Sequence, residues 1–318
     1  MIRTVFFTDL PTAQAELITH CAPAEFAVEI HSSSLPDAEK IALLSEAEFL
    51  ILFPGRLSDT VLESAPHLRL IQLVSAGFEQ MNLDLCKKLA IPVANNGGTN
   101  AIDVAEHVLA LSLGLYRRLI DLDRSVRSGQ WDAVSLGAQT QTIYGKTLGI
   151  VGFGHIGQRV ARLFSALGAE LLYSDPTPAE AGLCTALSIR PLPLDQLLAA
   201  ADIVTLHVPL MDSTRRLIGP AQLSRMKRNA LLINTSRGPV IDEAALYQAL
   251  SAGHIAGAAL DVFAAEPCPA DHPLLGLPNV LLSPHAAGVT RDTWARRGAF
   301  VFANLQRVWA GHPPEAEI

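Results

Sequence analysis

Three side chains of complementary chemistry fall just past short apolar runs in the second half of the chain. Arg237 follows Leu231-Leu232-Ile233-Asn234-Thr235-Ser236, Glu266 follows Leu260-Asp261-Val262-Phe263, and His285 follows Leu281-Leu282-Ser283-Pro284. If those runs are parallel strands, all three sit where open α/β sheets hold ligands, beyond the C-terminal strand ends. Arginine binds a carboxylate through two parallel hydrogen bonds and polarises a nearby carbonyl. Histidine gives or takes a proton near neutral pH. A carboxylate beside it fixes the ring and stabilises the imidazolium. Taken singly, each also fits a bland place as a strand cap or a solvated loop residue. As a set they are what hydride transfer on a hydroxy or keto acid requires. Two other histidines read differently. His107 sits mid-helix as a packing residue. His207, within Val204-Thr205-Leu206-His207-Val208-Pro209, stands at a strand end and could shape a nicotinamide or adenosine pocket.

Such chemistry needs a hydride carrier, and one stretch is built to hold it. Leu148, Ile150 and Val151 form a strand-like run, followed by Gly152, Gly154 and Gly157 in a Gly-x-Gly-x-x-Gly pattern. Val160, Leu163, Phe164 and Leu167 then recur at helical spacing up to Gly168. Strand, glycine turn and helix in this order make a dinucleotide site, with the backbone amides near His155 and Ile156 pointing at the pyrophosphate. A second strand ends in Asp175, 18 residues past Gly157. That is close to the spacing of about 20 at which an acidic residue takes the ribose hydroxyls. Pro176 and Thr177 follow, with no base for a 2′-phosphate, so the expected cofactor is NAD rather than NADP.

The elements that must position these groups alternate. Strands are expected at 4–8, 26–30, 48–53, 68–74 and 91–94, with helices at 11–20, 36–45, 58–64 and 83–90 between them. This is a parallel sheet with helices on both faces. After the turn formers of 95–100 comes one long helix, about 101–122, with Val104, Val108, Leu111, Leu115 and Leu119 on one face. The stretch 124–146, which carries Trp131, is poor in periodicity and reads as an arm across a second subunit or as a mobile loop. Strands then resume at 148–151, 170–173, 203–208, 230–234, 257–260 and 280–283, and a last helix covers 291–309. Two α/β domains joined by two helices leave a cleft, the usual place for a small ligand.

A length of 318 residues suits two domains. A net charge of −7, with 17% charged and 49% hydrophobic residues, argues against nucleic-acid binding, which wants basic clusters. Cys21, Cys86, Cys184 and Cys268 are scattered, which suggests reduced thiols, no metal site and a cytoplasmic protein. The first residues lack the form of a signal peptide, and no apolar run is long enough to span a membrane.

Over essentially its full length the chain resembles the D-isomer-specific 2-hydroxyacid dehydrogenases. The matching segments are the glycine turn, Leu206-His207-Val208-Pro209 followed by Thr214, and Asn234-Thr235-Ser236-Arg237-Gly238-Pro239. Also matching are Ala259-Leu260-Asp261-Val262-Phe263 through Glu266-Pro267, and Ser283-Pro284-His285-Ala286-Ala287-Gly288. The resemblance implies that Arg237, Glu266 and His285 form the catalytic set. It implies that Asp261 contacts the nicotinamide carboxamide and that Thr235 and Ser236 line the cofactor pocket. It gives the backbone amides of Ser75, Ala76 and Gly77 the substrate carboxylate to hold. Arg56 either faces the same cleft or is a surface arginine.

The resemblance further implies a discontinuous flavodoxin-like substrate domain, 1–99 plus 290–318, and a Rossmann NAD-binding domain, 100–289. Both are doubly wound parallel-sheet α/β units, and the long helix and arm build a homodimer. Glu266, where formate dehydrogenases carry glutamine, argues against formate. The absence of a long C-terminal regulatory extension makes the phosphoglycerate enzymes a poorer match. Ala286, Ala287 and Trp294 are expected to touch substrate specificity. The expectation is an NAD-dependent enzyme interconverting a small-molecule 2-keto acid and its D-2-hydroxy acid. The alternatives are an NADPH-dependent glyoxylate/hydroxypyruvate reductase and a dinucleotide-sensing, corepressor-like binding protein.

Overall fold

Short runs rich in Val, Ile, Leu and Phe fill the strands, and each sheet strand pairs with its neighbours in parallel. The computed structural model describes residues 1–318. It divides into two units, Met1–Asn100 with Val289–Ile318, and Ala101–Gly288.

In the first unit the strands are β1 (Ile2–Thr8), β2 (Phe26–His31), β3 (Phe49–Phe53), β4 (Leu70–Leu73) and β5 (Val93–Ala94), in the order β2-β1-β3-β4-β5. Residues of β3 and β4 are almost all buried, as a sheet covered on both faces requires. Phe6, Phe49, Ile51 and Leu70 pack with Trp294, Val301, Phe302 and Leu305 of the helix Arg291–Trp309. Each of those side chains contributes about 1.5–3 kcal/mol by leaving water. This is why residues 289–318, distant in sequence, belong to this unit. Trp294 is buried, edge-on against Phe53 and with the Arg297 guanidinium over its ring. After β4 the chain turns through Ser75, Ala76 and Gly77. The Ser75 hydroxyl donates to the Gly77 carbonyl and the Asn95 side-chain amide to the Ala76 carbonyl, whereas none of the three backbone N–H groups donates within the chain. Arg56 is exposed.

In the second unit the strands are β6 (Thr147–Val151), β7 (Glu170–Ser174), β8 (Arg190–Pro191), β9 (Ile203–Leu206), β10 (Leu231–Asn234), β11 (Gly257–Leu260) and β12 (Val280–Leu282). Their order is β12-β11-β10-β9-β6-β7-β8. The chain runs outward from β6 to β8, then returns to β9 on the other side of β6, so the topology reverses there. Ligands of open parallel sheets bind at that reversal, beyond the carboxyl ends. The register makes the edge straight. Ser174 pairs with Val151, Val151 with Leu206, Leu206 with Asn234, Asn234 with Leu260, and Leu260 with Leu282. The next residue on each strand is therefore Asp175, Gly152, His207, Thr235, Asp261 or Ser283, all on one rim.

Three local expectations are corrected. The single helix expected over 101–122 is two helices, Ala101–Tyr116 and Leu119–Arg127. Arg118 between them takes the left-handed conformation (φ 49°), its Nε bonds Asp121, and the Tyr116 carbonyl accepts the Gln141 amide. Leu119, expected on the inward face, is 52% exposed as a result. The stretch 124–146 is not wholly irregular. It holds the end of the second helix and a short helix, Ala133–Gly137, capped by Asp132. The strand expected over 203–208 stops at Leu206, because β6 turns away at Gly152 and the His207 amide makes the last bond, to the Val151 carbonyl.

Candidate active site

The glycine turn joins β6 to the helix His155–Ala166. Gly152 has φ 91°, and a Cβ there would stand 2.7 Å from the His207 carbonyl, so neither its conformation nor its surroundings admit a side chain. A Cβ on Gly157 would stand 2.3 Å from the Gly152 carbonyl oxygen, which shows how closely the helix abuts the turn. No side chain caps this helix, so its first amides and the positive end of its dipole are left for an anion. Asp175, at the end of β7, accepts from the Phe153 amide at 2.7 Å and from the Thr177 amide at 2.8 Å. It therefore braces the glycine turn.

Next along the rim, the Thr205 hydroxyl lies 2.9 Å from Nε2 of His207, while Nδ1 has no partner and is sealed from solvent. The residue keeps some exposed surface, but burial of the ring pushes its pKa down to about 3, so it is neutral at physiological pH. The loop Val208-Pro209 is stapled by Thr214, whose hydroxyl donates to the Pro209 carbonyl (2.6 Å) and accepts the Met211 amide (2.8 Å).

Past β10, Asn234 organises the turn that carries the arginine. Its Oδ1 accepts the Ser236 amide (3.0 Å) and hydroxyl (2.8 Å), and its Nδ2 donates to the Arg237 carbonyl at 3.0 Å. Nη1 of Arg237 donates to the Ser236 carbonyl at 2.7 Å, which leaves the rest of its fork turned toward other partners. The Thr235 hydroxyl is buried and has no partner. A Cβ on Gly238 would stand 1.9 Å from the Phe263 carbonyl carbon, so the turns after β10 and β11 touch through bare backbone.

The turn after β11 carries Glu266. Its Oε1 accepts the Phe263 amide (3.0 Å) and its Oε2 lies 2.7 Å from Nδ1 of His285. Glu243 supports the same turn by accepting the Ala264 amide at 2.8 Å and by pairing with His272 at 3.3 Å. An ionised carboxylate only accepts, so Nδ1 of His285 carries a proton and Nε2 is the atom free to exchange one. The imidazole and the carboxylate are both about half-exposed, open to a reactant. His285 itself has φ 54°, a left-handed conformation that costs a non-glycine residue about 1–3 kcal/mol and tends to persist at functional positions.

Asp261 holds this turn in place. The residue is fully buried, and Oδ1 accepts the Ser283 hydroxyl (2.6 Å) and the Ala286 amide (2.8 Å). Oδ2 accepts the Ala287 amide (2.9 Å), and the Asp261 carbonyl accepts the His285 amide (2.6 Å).

The residues fit a dinucleotide: an uncapped helix start after a glycine turn, an acidic residue at the next strand end, and two partnerless polar atoms, Thr235 Oγ1 and His207 Nδ1, along the rim. The family model for "D-isomer specific 2-hydroxyacid dehydrogenase, NAD binding domain" matches residues 109–287. The chain belongs to that family.

This dehydrogenase is 39% identical over 297 residues to the glyoxylate reductase of Korarchaeum cryptofilum, a match spanning 91% of this chain and 88% of that one. Among solved structures it resembles a Thermus thermophilus protein (33% identity, TM-score 0.85, 99% of each chain). It also resembles the NAD-complexed D-isomer specific 2-hydroxyacid dehydrogenase of Lactobacillus delbrueckii ssp. bulgaricus (27% identity, TM-score 0.84, 99% of each chain). It is an oxidoreductase that acts on the CH–OH group of a small 2-hydroxy acid, with NAD as cofactor. None of its helices is long and apolar enough to cross a membrane.

Three residues of the dehydrogenase's rim escaped sequence reasoning. Asn234 and Ser283 were legible only as parts of strand ends, although a polar residue ending an apolar run was a signal. His107, expected to pack, instead places Nε2 3.0 Å from the Ser283 hydroxyl. No local pattern announces a contact across 176 residues.

Proposed function

We propose that this dehydrogenase reduces a small 2-keto acid of the glyoxylate and hydroxypyruvate class with NADH, using His285 as the proton donor. The hydrogen bond of 2.7 Å between His285 Nδ1 and Glu266 Oε2 carries the reading. The cofactor, when bound, supplies a hydride to the C2 carbon. Gly152, Gly154, Gly157 and the amides of His155 and Ile156 hold its pyrophosphate, and Asp175 its ribose. His207, Val208, Pro209, Thr214, Thr235, Ser236, Asp261 and Gly288 line the remainder of its site. Arg237 takes the substrate carboxylate and polarises the carbonyl. In the other unit, the undonated amides of Ser75, Ala76 and Gly77 support a role in holding a carboxylate, and Arg56 is an exposed cation there.

As C2 gains the hydride, the proton on His285 Nε2 passes to the carbonyl oxygen, leaving a neutral imidazole and a hydroxyl. Glu266 stabilises the imidazolium beforehand and keeps the Nδ1 proton in place. Oxidation runs the same steps in reverse. The carboxylate of Asp175 favours free ribose hydroxyls over a 2′-phosphate, which supports NADH over NADPH. The name of the Korarchaeum relative supports the two-carbon end of the substrate range. The exposed apolar side chains Leu119, Ile120, Val126, Trp131, Val134 and Tyr144 support a homodimer. The four free cysteines support a cytoplasmic location.

The test is NADH consumption by the purified protein against glyoxylate, hydroxypyruvate, pyruvate, 2-ketoisocaproate and phenylpyruvate, alongside His285→Gln. Turnover of the small keto acids, abolished in the variant, is expected. Turnover of only the bulky ones overturns the substrate class, and an active His285→Gln overturns the proton donor.

A further inference from the structure

His285 is the most demanding residue of the rim, since it must hold its ring on Glu266 from a left-handed backbone (φ 54°). Of its neighbours, Ala287 is buried in the core, while Ala286 is only half-buried and Pro284 is exposed. What enforces it is Asp261, which takes the amides of residues 285, 286 and 287 on three different oxygen atoms, at 2.6, 2.8 and 2.9 Å. The clamp works only while the Asp261 side chain keeps its rotamer.

One more bond sets that rotamer. An ionised carboxylate has no proton to give, so the Ser283 hydroxyl spends its single hydrogen on Asp261 Oδ1 at 2.6 Å. The hydroxyl oxygen then has only lone pairs left for His107, whose Nε2 lies 3.0 Å away. His107 must therefore donate through Nε2–H. The same nitrogen lies 3.7 Å from Asp261 Oδ1, close enough to add to the field on the carboxylate. His107 projects from the helix Ala101–Tyr116, packed beneath β10, β11 and β12, so the chain His107–Ser283–Asp261 ties the catalytic turn to a rigid element of the same unit.

We propose that His107 is a positioning residue for His285, acting through Ser283 and Asp261 to hold the turn 285–287. The proposal rests on the reading of His285 as proton donor. His107 reaches the catalytic turn only through Ser283 and Asp261, so its loss is expected to lower turnover and not substrate capture.

His107→Phe keeps an aromatic ring and removes the donor, whereas His107→Gln places an amide N–H near the position of Nε2. Displacing a reacting group by about 1 Å can cost on the order of 10²-fold. His107→Phe is therefore expected to lower kcat for keto-acid reduction by at least about tenfold while KM stays within about twofold. His107→Gln should recover most of that kcat. Ser283→Ala should match His107→Phe, and the double variant should be no slower than either, because both break one chain. Thermal melting of each variant is followed in parallel. A native kcat in His107→Phe overturns the proposal, as does a Gln variant no better than Phe at equal melting temperature, or losses that multiply in the double variant. His285→Gln, measured beside them, separates the two readings. If it stays active, the proton donor is misassigned. If it is dead while His107→Phe is native, only the positioning role fails.

Discussion

Glu266 Oε2 lies 2.7 Å from Nδ1 of His285, and the other oxygen of the same carboxylate accepts the Phe263 amide at 3.0 Å. The carboxylate is thus aimed by its own turn before it meets the imidazole. Glu266→Gln keeps the shape but removes the charge that the proposed proton donor leans on. kcat/KM for keto-acid reduction should fall by about tenfold or more, while NADH binding followed by fluorescence barely changes. Glu266→Ala, which also loses the acceptor of the Phe263 amide, should fall further and melt at a lower temperature. A Gln variant with near-native kcat/KM would reduce Glu266 to a structural role.

Arg237 stands on a turn locked by Asn234 and Ser236, so its fork is preorganised. Arg237→Lys keeps the charge and loses the bidentate geometry. The expected cost is about 2–4 kcal/mol of transition-state stabilisation, read from kcat/KM. NADH binding, followed by fluorescence, should barely change. A lysine variant with near-native kcat/KM would remove Arg237 from the substrate site.

Asp175 braces the Phe153 and Thr177 amides, and in the proposed site its carboxylate also faces the cofactor ribose. The native protein should prefer NADH to NADPH by about tenfold or more, because a carboxylate repels a 2′-phosphate. Asp175→Ser should narrow that ratio and also lower the melting temperature, as the brace is lost. Equal kcat/KM for the two cofactors in the native protein would be fatal to this view.

His207 makes the fold acid-sensitive. Burial pushes its pKa down to about 3 from an ordinary value of 6.5. Between those values the unfolded chain binds a proton that the folded chain refuses. Stability is therefore untouched above about pH 6.5 and falls as the pH drops toward 3, by an upper bound on the order of 5 kcal/mol. His207→Gln removes the titration and keeps an amide for the Thr205 hydroxyl. Melting temperatures of the cofactor-free proteins at about pH 7 and about pH 4 should fall less in the variant than in the native protein. Parallel losses would show that other groups drive acid unfolding.

Much of the molecule is legible without coordinates. Apolar runs such as Phe49–Phe53 and Leu231–Asn234, bounded by turn residues, read as buried strands, and the glycines at 152, 154 and 157 announce a dinucleotide-type turn. Arg237, Glu266 and His285 are visible for the same reason, because a polar residue ending an apolar run is a local event. The register was not visible: that Val151, Leu206, Asn234, Leu260 and Leu282 share one rung, and so present the following residues on one rim, is decided by pairing between strands. Nor was the break at Arg118, where helical propensity yields to a contact made by the Gln141 amide. His107 is the sharpest case. Its sequence neighbours describe a helix and nothing more, while its partner Ser283 is brought to it by packing of that helix beneath β12. Local sequence dictates backbone shape and burial, but which side chains meet is set by long-range packing.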